Sequence, residues 1–308
     1  MKLQQLRYLC EIAKQGLNLS KAAKSLHTSQ PGISKQTQLL EEELGVDIFV
    51  RNGKRIVKIT PPGEAILKIA GKIIQDTENL RRVSQEFTQE AGGTLTIATT
   101  HTQARYVLPT VIKRFTACYP KVKLILRQGS PTQISALVTS GEADIAIATE
   151  AIESFHELVM LPCYEWNRCI IVPPAHPLLK LKKLTLEAIS QYPIITYDFA
   201  FTGRSKINQA FESRGLSPNV VLTAIDSDVI KTYVELGLGI GILAKMAFDP
   251  KRDKHLRSMD ASHLFEPSTT RIGISRNNYL RNYIFDFIEM FAPHLDKTTV
   301  NAALQEHI

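Results

Sequence analysis

The stretch LSKAAKSLHTSQPGISKQ, residues 19–36, contains two short helical patterns with a tight turn between them. Ser20 can cap the first helix, and Thr28 or Ser29 can cap the second. Pro31 is tolerated in the first turn of the second helix, because no intrahelical N–H bond is lost there. The stretch therefore predicts two helices in close succession, the second of which begins with polar residues.

The second helix is predicted to bury one face and to expose a polar one. Ile33, Leu40 and Leu44 recur at helical spacing and should face the core. The outward positions hold amides, a hydroxyl and a cation, namely Gln30, Ser34, Lys35 and Gln38. Amides can pair with adenine edges and a lysine can reach guanine or phosphate, so this helix is suited to reading the major groove of double-stranded DNA.

A β-hairpin is predicted next along the chain. Two β-patterned runs, 48–50 and 56–59, flank the sequence RNGKR at residues 51–55. Asn-Gly between strands is a strong hairpin signal, and the cationic tip suits the phosphate backbone, where it would add salt-dependent affinity. A surface hairpin with solvated charges is the alternative. The predicted DNA-binding residues are Ser29, Gln30, Pro31, Ser34, Lys35, Gln38, Arg51, Lys54 and Arg55.

Positive charge is concentrated in the N-terminal part of the chain. Residues 1–60 hold ten Lys and Arg against five Asp and Glu, while the net charge of all 308 residues is +7. Such an excess fits a polyanionic partner, although a surplus of this size is also found on solvated faces.

The composition indicates a multidomain globular protein. Hydrophobic residues make up 44% of the chain and charged residues 22%, which is ordinary for globular domains. No apolar run reaches membrane-spanning length, and charges interrupt the first residues too early for a secretory signal, so a cytoplasmic location is expected. The cysteines form no CxxC pair, and neither a zinc site nor a disulfide framework is predicted.

A long helix is predicted after the Pro-Pro-Gly sequence at residues 61–63, which should break the chain. The helix extends to about Glu90, before Ala-Gly-Gly at residues 91–93. Its apolar residues recur in heptads at Ile66, Ile69, Ile73, Leu80, Val83 and Phe87. Asp76 interrupts this seam, so a short or bent coiled coil is expected. A dimer is favoured because two recognition helices must match a two-fold DNA site; a helix packed on its own domain is the alternative.

The remaining two thirds of the chain alternate β-patterned runs with helical patterns. This order, which occurs twice, predicts two α/β lobes with mostly parallel sheets and a cleft between them. The predicted domains are a DNA-binding domain at 1–60, a linker and dimerisation helix at 61–91, and an effector domain at 92–308, with lobe I at about 92–163 and 267–292 and lobe II at about 164–266.

Three hydroxyl-rich loops follow strand patterns in these lobes. They are residues 99–103, Thr149 and residues 202–203. In open α/β sheets ligands bind beyond the carboxyl ends of the strands, where helix N-termini offer free N–H groups. A single threonine at such a position is more often an N-cap, but three such loops together predict a site for a small polar anion.

Two sets of motifs resemble a known family. Residues 19–36, with LLEEELGVDIFVRNGKRIVKITPPGE at residues 39–64, resemble the winged helix-turn-helix of LysR-type transcriptional regulators. Thr37 and Gln38 differ from the larger aliphatic and basic residues usual there. The stretches TTHTQARYVLP, ADIAIATEA, TYDFAFTGRS and DSDVIKTYVELGLGIGILA, which begin at positions 99, 143, 196 and 226, are similar to the CysB branch of that family.

The resemblance implies a fold and a function. The fold is α/β, with an N-terminal winged helix-turn-helix, a linker helix and a two-lobe effector domain resembling type 2 periplasmic-binding folds. The function is regulation of sulfur-assimilation and cysteine-biosynthesis genes at promoter DNA by a homotetramer. A small anionic effector (acetylserine, sulfate or thiosulfate) would bind between the lobes. The resemblance implies effector contacts by Thr100, Thr102, Gln103, Thr149 and Thr202.

Other function classes find less support in the sequence. No paired base and nucleophile emerges, and there is no P-loop, no GxGxxG after a strand and no HExxH, so neither catalysis nor a metal or cofactor is predicted. The second candidate is a solute-binding receptor for anion import that does not bind DNA. The missing secretory signal and the DNA-binding pattern of the first 90 residues argue against that receptor.

Overall fold

The computed structural model describes residues 1–53, 55–87, 92–149, 157–198 and 204–305. The chain divides into two compact units. Unit 1 comprises Met1–Gln89 and Asn277–Tyr279, and unit 2 comprises Glu90–Arg276 and Leu280–Ile308. Within the described residues, no helix combines the length and the apolar character needed to cross a membrane.

Unit 1 contains three short helices, a hairpin and a long helix, as the sequence predicts. The elements are α1 (Leu3–Lys14), α2 (Leu19–Ser25), α3 (Gln30–Leu44), β1 (Phe49–Asn52), β2 (Arg55–Ile59) and α4 (Pro61–Phe87). Their apolar faces meet in one core, which includes the fully buried Leu9, Ile12, Ile33, Leu40 and Ile48. This core holds α3 and the hairpin in fixed positions beside each other.

Of three expected details of the helix ends and faces, one agrees with the structure and two differ from it. Asn18 caps α2 by accepting a 3.0 Å hydrogen bond from the N–H of Lys21, so the expected cap at Ser20 is wrong. Ser29 does cap α3, through a 3.2 Å bond from the N–H of Gly32. Leu44 was expected in the core but is 40% exposed, at the last position of α3 before the C-cap Gly45.

A buried carboxylate connects α3 to the hairpin. Glu41 is 5% exposed, and its Oε1 accepts hydrogen bonds from the backbone N–H groups of Ile48 (2.8 Å) and Phe49 (3.0 Å). Its Oε2 accepts a 2.5 Å bond from the guanidinium of Arg51. These three donors satisfy a charge that would otherwise be costly to bury, and they fix the start of β1 against α3.

The Pro-Pro-Gly sequence begins α4 rather than breaking the chain. Thr60 accepts a 2.9 Å bond from the N–H of Gly63 and thereby caps the helix, with Pro61 in the first turn. A Cβ at Gly63 would lie 2.2 Å from the carbonyl oxygen of Ile48, so only glycine allows α4 to approach the hairpin this closely.

The heptad residues of α4 lie on two different faces. Ile66 and Ile73 pack against the core of unit 1, together with the buried Ala70. Ile69 and Leu80 are 62% and 71% exposed. The helix therefore packs on its own unit with one face and presents a second, apolar face.

Unit 2 consists of two α/β lobes. Lobe I contains β3 (Gly93–Thr99), a π-helical turn (Gln103–Val107), α5 (Leu108–Cys118), β4 (Val122–Gln128), α6 (Pro131–Thr139), β5 (Ile145–Thr149), β6 (Leu158–Trp166), β12 (Ser268–Ser275), α10 (Asn282–Phe291) and α11 (Lys297–Gln305). Lobe II contains β7 (Arg168–Val172), α7 (Leu186–Ser190), β8 (Ile194–Tyr197), α8 (Arg204–Glu212), β9 (Val220–Ala224), α9 (Ser227–Glu235), β10 (Ile240–Ala244) and β11 (Arg257–Asp260).

Each lobe is built on a five-stranded mixed sheet. The strand orders are β4-β3-β5-β12-β6 in lobe I and β11-β7-β10-β8-β9 in lobe II. The three strands β4, β3 and β5 are parallel, as are β10, β8 and β9, whereas β12, β6, β7 and β11 run antiparallel to their neighbours. The sheets are thus less parallel than predicted, because the strands that cross between the lobes return in the opposite direction.

The buried carboxylate makes a testable contribution to unit 1. Replacing Glu41 with alanine should remove the acceptor of the Ile48 and Phe49 amides and destabilise the hairpin by about 2 kcal/mol. Hydrogen exchange of these two amides, followed by mass spectrometry, should accelerate roughly thirtyfold. Alanine at the neighbouring exposed Glu42 is the control and should leave their exchange unchanged.

Candidate functional site

The recognition face, defined as Gln30, Pro31, Ser34, Lys35 and Gln38, lies along the first half of α3. All but Ser34, which is half-buried, are exposed. Positions three, four and seven residues apart share one side of a helix, so this face opposes the core-facing Ile33 and Leu40. The sequence therefore predicted correctly which side of α3 is turned outward.

The side-chain amide of Gln30 is hydrogen-bonded to Ser20, the residue that was expected to cap α2. The hydroxyl of Ser20, on α2, donates a 3.0 Å hydrogen bond to Oε1 of Gln30. Both side chains line a surface cleft that also includes Arg55 of β2. The cleft thus brings together side chains from α2, α3 and the hairpin.

Arg51 and Arg55, two of the predicted DNA-binding cations of the hairpin, have different surroundings. Arg51 is 23% exposed and pairs with Glu41, so in this structure it anchors the hairpin to α3. Arg55 is exposed, opposite Asn52 in the register of the two strands. Gly53 adopts a φ of +60° at the tip, the left-handed conformation that the Asn-Gly sequence predicts. Lys54 lies outside the described residues.

In unit 2, a row of hydroxyl groups crosses three neighbouring strands at the edge where β3 and β5 end. The strand register places Thr270 of β12 opposite both Thr149 of β5 and Tyr164 of β6. The Oγ1 atoms of Thr149 and Thr270 are 3.2 Å apart, and Thr270 is fully buried. Antiparallel pairing thus extends the predicted threonine site across the sheet.

Gln103 completes this row from the π-helical turn. It is 1% exposed, its amide nitrogen donates to Thr270 at 3.1 Å, and its carbonyl oxygen accepts from the hydroxyl of Tyr164 at 2.6 Å. The preceding residues 101–102 are already helical, as the N–H of Ala104 bonded to the carbonyl of Thr100 indicates. The first N–H groups of a helical segment have no acceptor within it. Thr100 and Thr102, at the start of this segment, line the same cleft as Gln103.

Lobe II contributes the opposite wall of the cleft. Tyr197 ends β8, and its hydroxyl lies 2.7 Å from Oγ of Ser227 and accepts a 3.2 Å bond from the N–H of Ala244. Burial raises the pKa of Tyr197, against the opposing effect of its hydrogen bonds, so the phenol stays protonated at neutral pH. Ile225, just beyond β9, also lines this wall.

The single tryptophan of the chain, Trp166, lies in the cleft. It ends β6, and its indole N–H is 3.3 Å from Oγ1 of Thr149. The guanidinium carbon of the fully buried Arg168 lies 5.3 Å from the centre of the Trp166 ring. Fluorescence of this one residue therefore reports on the cleft.

The structure brings together most of the predicted effector residues. Thr100, Thr102, Gln103 and Thr149 line one cleft, while Thr202 lies outside the described residues. Sequence reasoning missed Trp166 and Tyr197 in the lining. It also missed the residues behind the lining that are hydrogen-bonded to it, namely Tyr164, Ser227 and Thr270. The residues described in the lining are uncharged and offer hydroxyl, amide and indole groups, which suits a small anion or zwitterion held by neutral donors.

Family models match both units. Residues 3–64 match the bacterial regulatory helix-turn-helix protein, lysR family, and residues 88–296 match the LysR substrate binding domain. The chain is 53% identical over 308 residues to the HTH-type transcriptional regulator SsuR of Burkholderia cenocepacia, covering 100% of both chains. It is 54% identical over 303 residues to the HTH-type transcriptional regulator CysB of Haemophilus influenzae, covering 98% of this chain and 94% of that protein.

Solved structures share the fold. The cofactor-binding domain of the Cbl transcriptional regulator superposes with a TM-score of 0.68 at 45% identity, covering 71% of this chain and 96% of that domain. Full-length OxyR from Pseudomonas aeruginosa gives a TM-score of 0.69 at 22% identity, covering 96% of this chain and 98% of that chain. The match to OxyR spans both units, so the shared fold includes unit 1 as well as unit 2.

The hydroxyl row should stabilise lobe I. Valine at Thr270 keeps the shape of the side chain but leaves Gln103 and Thr149 each short of a buried partner, at a cost of about 2 kcal/mol. The unfolding temperature of unit 2, measured by calorimetry, should fall by about 5 °C. Valine at Thr269 is the matched control, because that side chain points to the other side of the same strand; an equal fall in both variants would contradict the role of the row.

Proposed function

The chain belongs to the LysR family of bacterial transcriptional regulators, and from this premise we propose that it controls sulfur-assimilation genes in response to a small anion bound between its lobes. It is a DNA-binding regulator rather than an enzyme. The proposal on sulfur rests on the CysB-like motifs and on the whole-length similarity to regulators named CysB and SsuR. The site of action would be the cytoplasm.

The recognition face and the hairpin would divide the work of DNA binding. Gln30, Ser34 and Lys35 are the candidates for contacts to bases or adjacent phosphates, with Ser29, Pro31 and Gln38 beside them. Arg55, together with Lys54, would hold the phosphate backbone. Arg51 has its guanidinium committed to Glu41, so its contribution would be to orient the hairpin as well as to add positive charge.

The uncharged polar cleft carries the effector part of the proposal. Thr100, Thr102, Gln103 and Thr149 surround one space with hydrogen-bond donors, and Thr202 would join them from lobe II. A tetrahedral oxyanion such as sulfate or thiosulfate, or the carboxylate of an acetylserine, requires several such donors at once. The effector would act through different affinities for two arrangements of the oligomer.

The exposed face of α4 suits self-association. Ile69 and Leu80 are eleven residues apart, which is close to three helical turns, and both are more than half exposed. Pairing of two such helices would place two recognition faces on one DNA site, and a dimer of dimers would give the homotetramer that the family resemblance implies.

The hairpin proposal predicts a change in salt dependence. Replacing Arg55 with alanine should weaken binding to duplex DNA several-fold and reduce the slope of log K against log salt by about one unit, without altering sequence preference. Fluorescence anisotropy over a salt series measures both quantities. Arg252→Ala, an exposed change in lobe II, is the control for total charge. No DNA binding at low salt by the unaltered chain would favour the import receptor instead.

The cleft proposal predicts a loss of effector affinity. Thr102→Ala should weaken binding of sulfate or acetylserine about tenfold in isothermal titration calorimetry, because one donor to the anion is lost. Thr110→Ala removes an exposed hydroxyl on the neighbouring α5 and should leave the affinity unchanged. Equal affinities in all three proteins would remove Thr102 from the site.

A further inference from the structure

A cluster of charged and aromatic side chains joins the two lobes beside the cleft. We infer that Tyr106 of lobe I and Asp228 of lobe II, supported by Lys231, form an interlobe latch that holds the cleft closed and slows the release of bound effector. The inference rests on the proposed function of the cleft as an effector site. It concerns residues that do not line the cleft themselves.

The contacts of Asp228 define the latch. The hydroxyl of Tyr106 donates a 2.5 Å hydrogen bond to Oδ1 of Asp228, and Nε of Arg105 lies 3.3 Å from Oδ2. From within lobe II, Nζ of Lys231 lies 3.2 Å from Oδ1. One carboxylate therefore receives donors from both lobes at once, and the donors from lobe I are lost when the lobes separate.

Lobe II holds its half of the latch rigidly. Lys231 is 8% exposed and contacts both carboxylate oxygens of Asp253 at 3.1 and 3.3 Å, and it donates to the carbonyl of Ala247 at 3.0 Å. Its ammonium group also lies 5.1 Å from the ring centre of Tyr106, within the range of a cation–π interaction. The tyrosine of lobe I thus rests on a preorganised surface and makes two kinds of contact with it.

The protonation states of Tyr106 and Asp228 favour the closed form. Burial and the hydrogen bond to Asp228 raise the pKa of Tyr106, so its phenol remains a donor. Burial alone would oppose ionisation of Asp228, but hydrogen bonds from Tyr106 and Lys231 outweigh it and lower the pKa of the carboxyl. A neutral donor facing an ionised acceptor gives a charge-assisted hydrogen bond, which is stronger than one between neutral groups.

Each half of the latch is connected to a cleft residue by its own element. Tyr106 lies three residues after Gln103 in the same π-helical turn. Asp228 follows Ser227 in the first turn of α9, and the hydroxyl of Ser227 is hydrogen-bonded to that of Tyr197 at the end of β8. Any motion that opens the cleft between Gln103 and Tyr197 must therefore also pull Tyr106 from Asp228. The effector and the latch stabilise the same arrangement, so breaking the latch should accelerate effector release.

The charges of the cluster indicate how it should affect the rates. Two cations, Arg105 and Lys231, are balanced by two anions, Asp228 and Asp253. The latch consequently adds no net charge that would attract an anionic effector from solution. Its loss through Tyr106→Phe should change the dissociation rate and leave the association rate nearly constant.

The experiment measures effector kinetics in the full-length chain. The probes are acetylserine and sulfate, followed by stopped-flow fluorescence of Trp166, with affinities from calorimetry. Tyr106→Phe and Asp228→Asn should each raise the dissociation rate about tenfold. The association rate of Tyr106→Phe, which changes no charge, should stay within about twofold of the original. The double variant should release the probe no more than about twofold faster than either single variant, because both changes remove the same contact.

The control separates the latch from ion pairing in general. Asp260→Asn breaks the 2.8 Å ion pair with Lys245, which lies within lobe II, and should leave release rates unchanged. Thermal unfolding of every variant establishes that it is folded; Tyr106→Phe removes one oxygen atom and tests the latch with the least disturbance.

The possible outcomes distinguish the latch from the cleft proposal. If the unaltered chain binds the probes but Tyr106→Phe releases them at the same rate, the latch proposal is wrong and the cleft proposal stands. Additive effects in the double variant would also overturn the latch. If the unaltered chain binds neither probe, the effector proposal fails and the latch fails with it.

Discussion

The two crossings of the chain between the lobes are the constraint on which the cleft depends. The chain leaves lobe I between β6 and β7 and returns between β11 and β12. Arg168, which is 1% exposed, fastens these crossings together, since its guanidinium donates to the carbonyl of Glu266 at 2.9 Å and to Oγ of Ser268 at 2.8 Å. The same guanidinium lies over the ring of Trp166. The two crossings and Trp166 of the cleft wall therefore pack together around Arg168. The strand ends of the two lobes face each other across the cleft.

Local sequence patterns were sufficient for the parts of the site that follow parallel strands. Thr100, Gln103 and Thr149 are recognisable because each follows an apolar run that must be a buried strand. Thr270 and Tyr164 carry no such signal, since their position behind the cleft lining depends on antiparallel pairing with a strand far away in the sequence. Pairing register between distant strands is a property of the folded sheet, and no periodicity within either strand reveals it.

Unit 1 shows the same limit in a helical setting. The spacing in α3 identified the buried Ile33 and Leu40 correctly, but the burial of Glu41 could not be predicted, because its three donors come from the hairpin and not from the helix. In α4 the heptad pattern combined two apolar faces, and only packing separates Ile73, on the core, from Leu80, on the surface. The heptad pattern of α4 therefore contains both the residues that pack on the core of unit 1 and the residues proposed for self-association.

In the proposed function, the recognition face with its cationic hairpin and the uncharged cleft are coupled sites of one regulator. Coupling between two sites is reciprocal, so an effector that changes DNA affinity must have its own affinity changed by DNA to the same degree. The most direct measurement is this thermodynamic cycle in the full-length chain, with acetylserine and a duplex that the chain has enriched from a random pool. If the two sites are coupled, the coupling factors should be equal and several-fold in both directions. Two affinities that are each independent of the other ligand would contradict it.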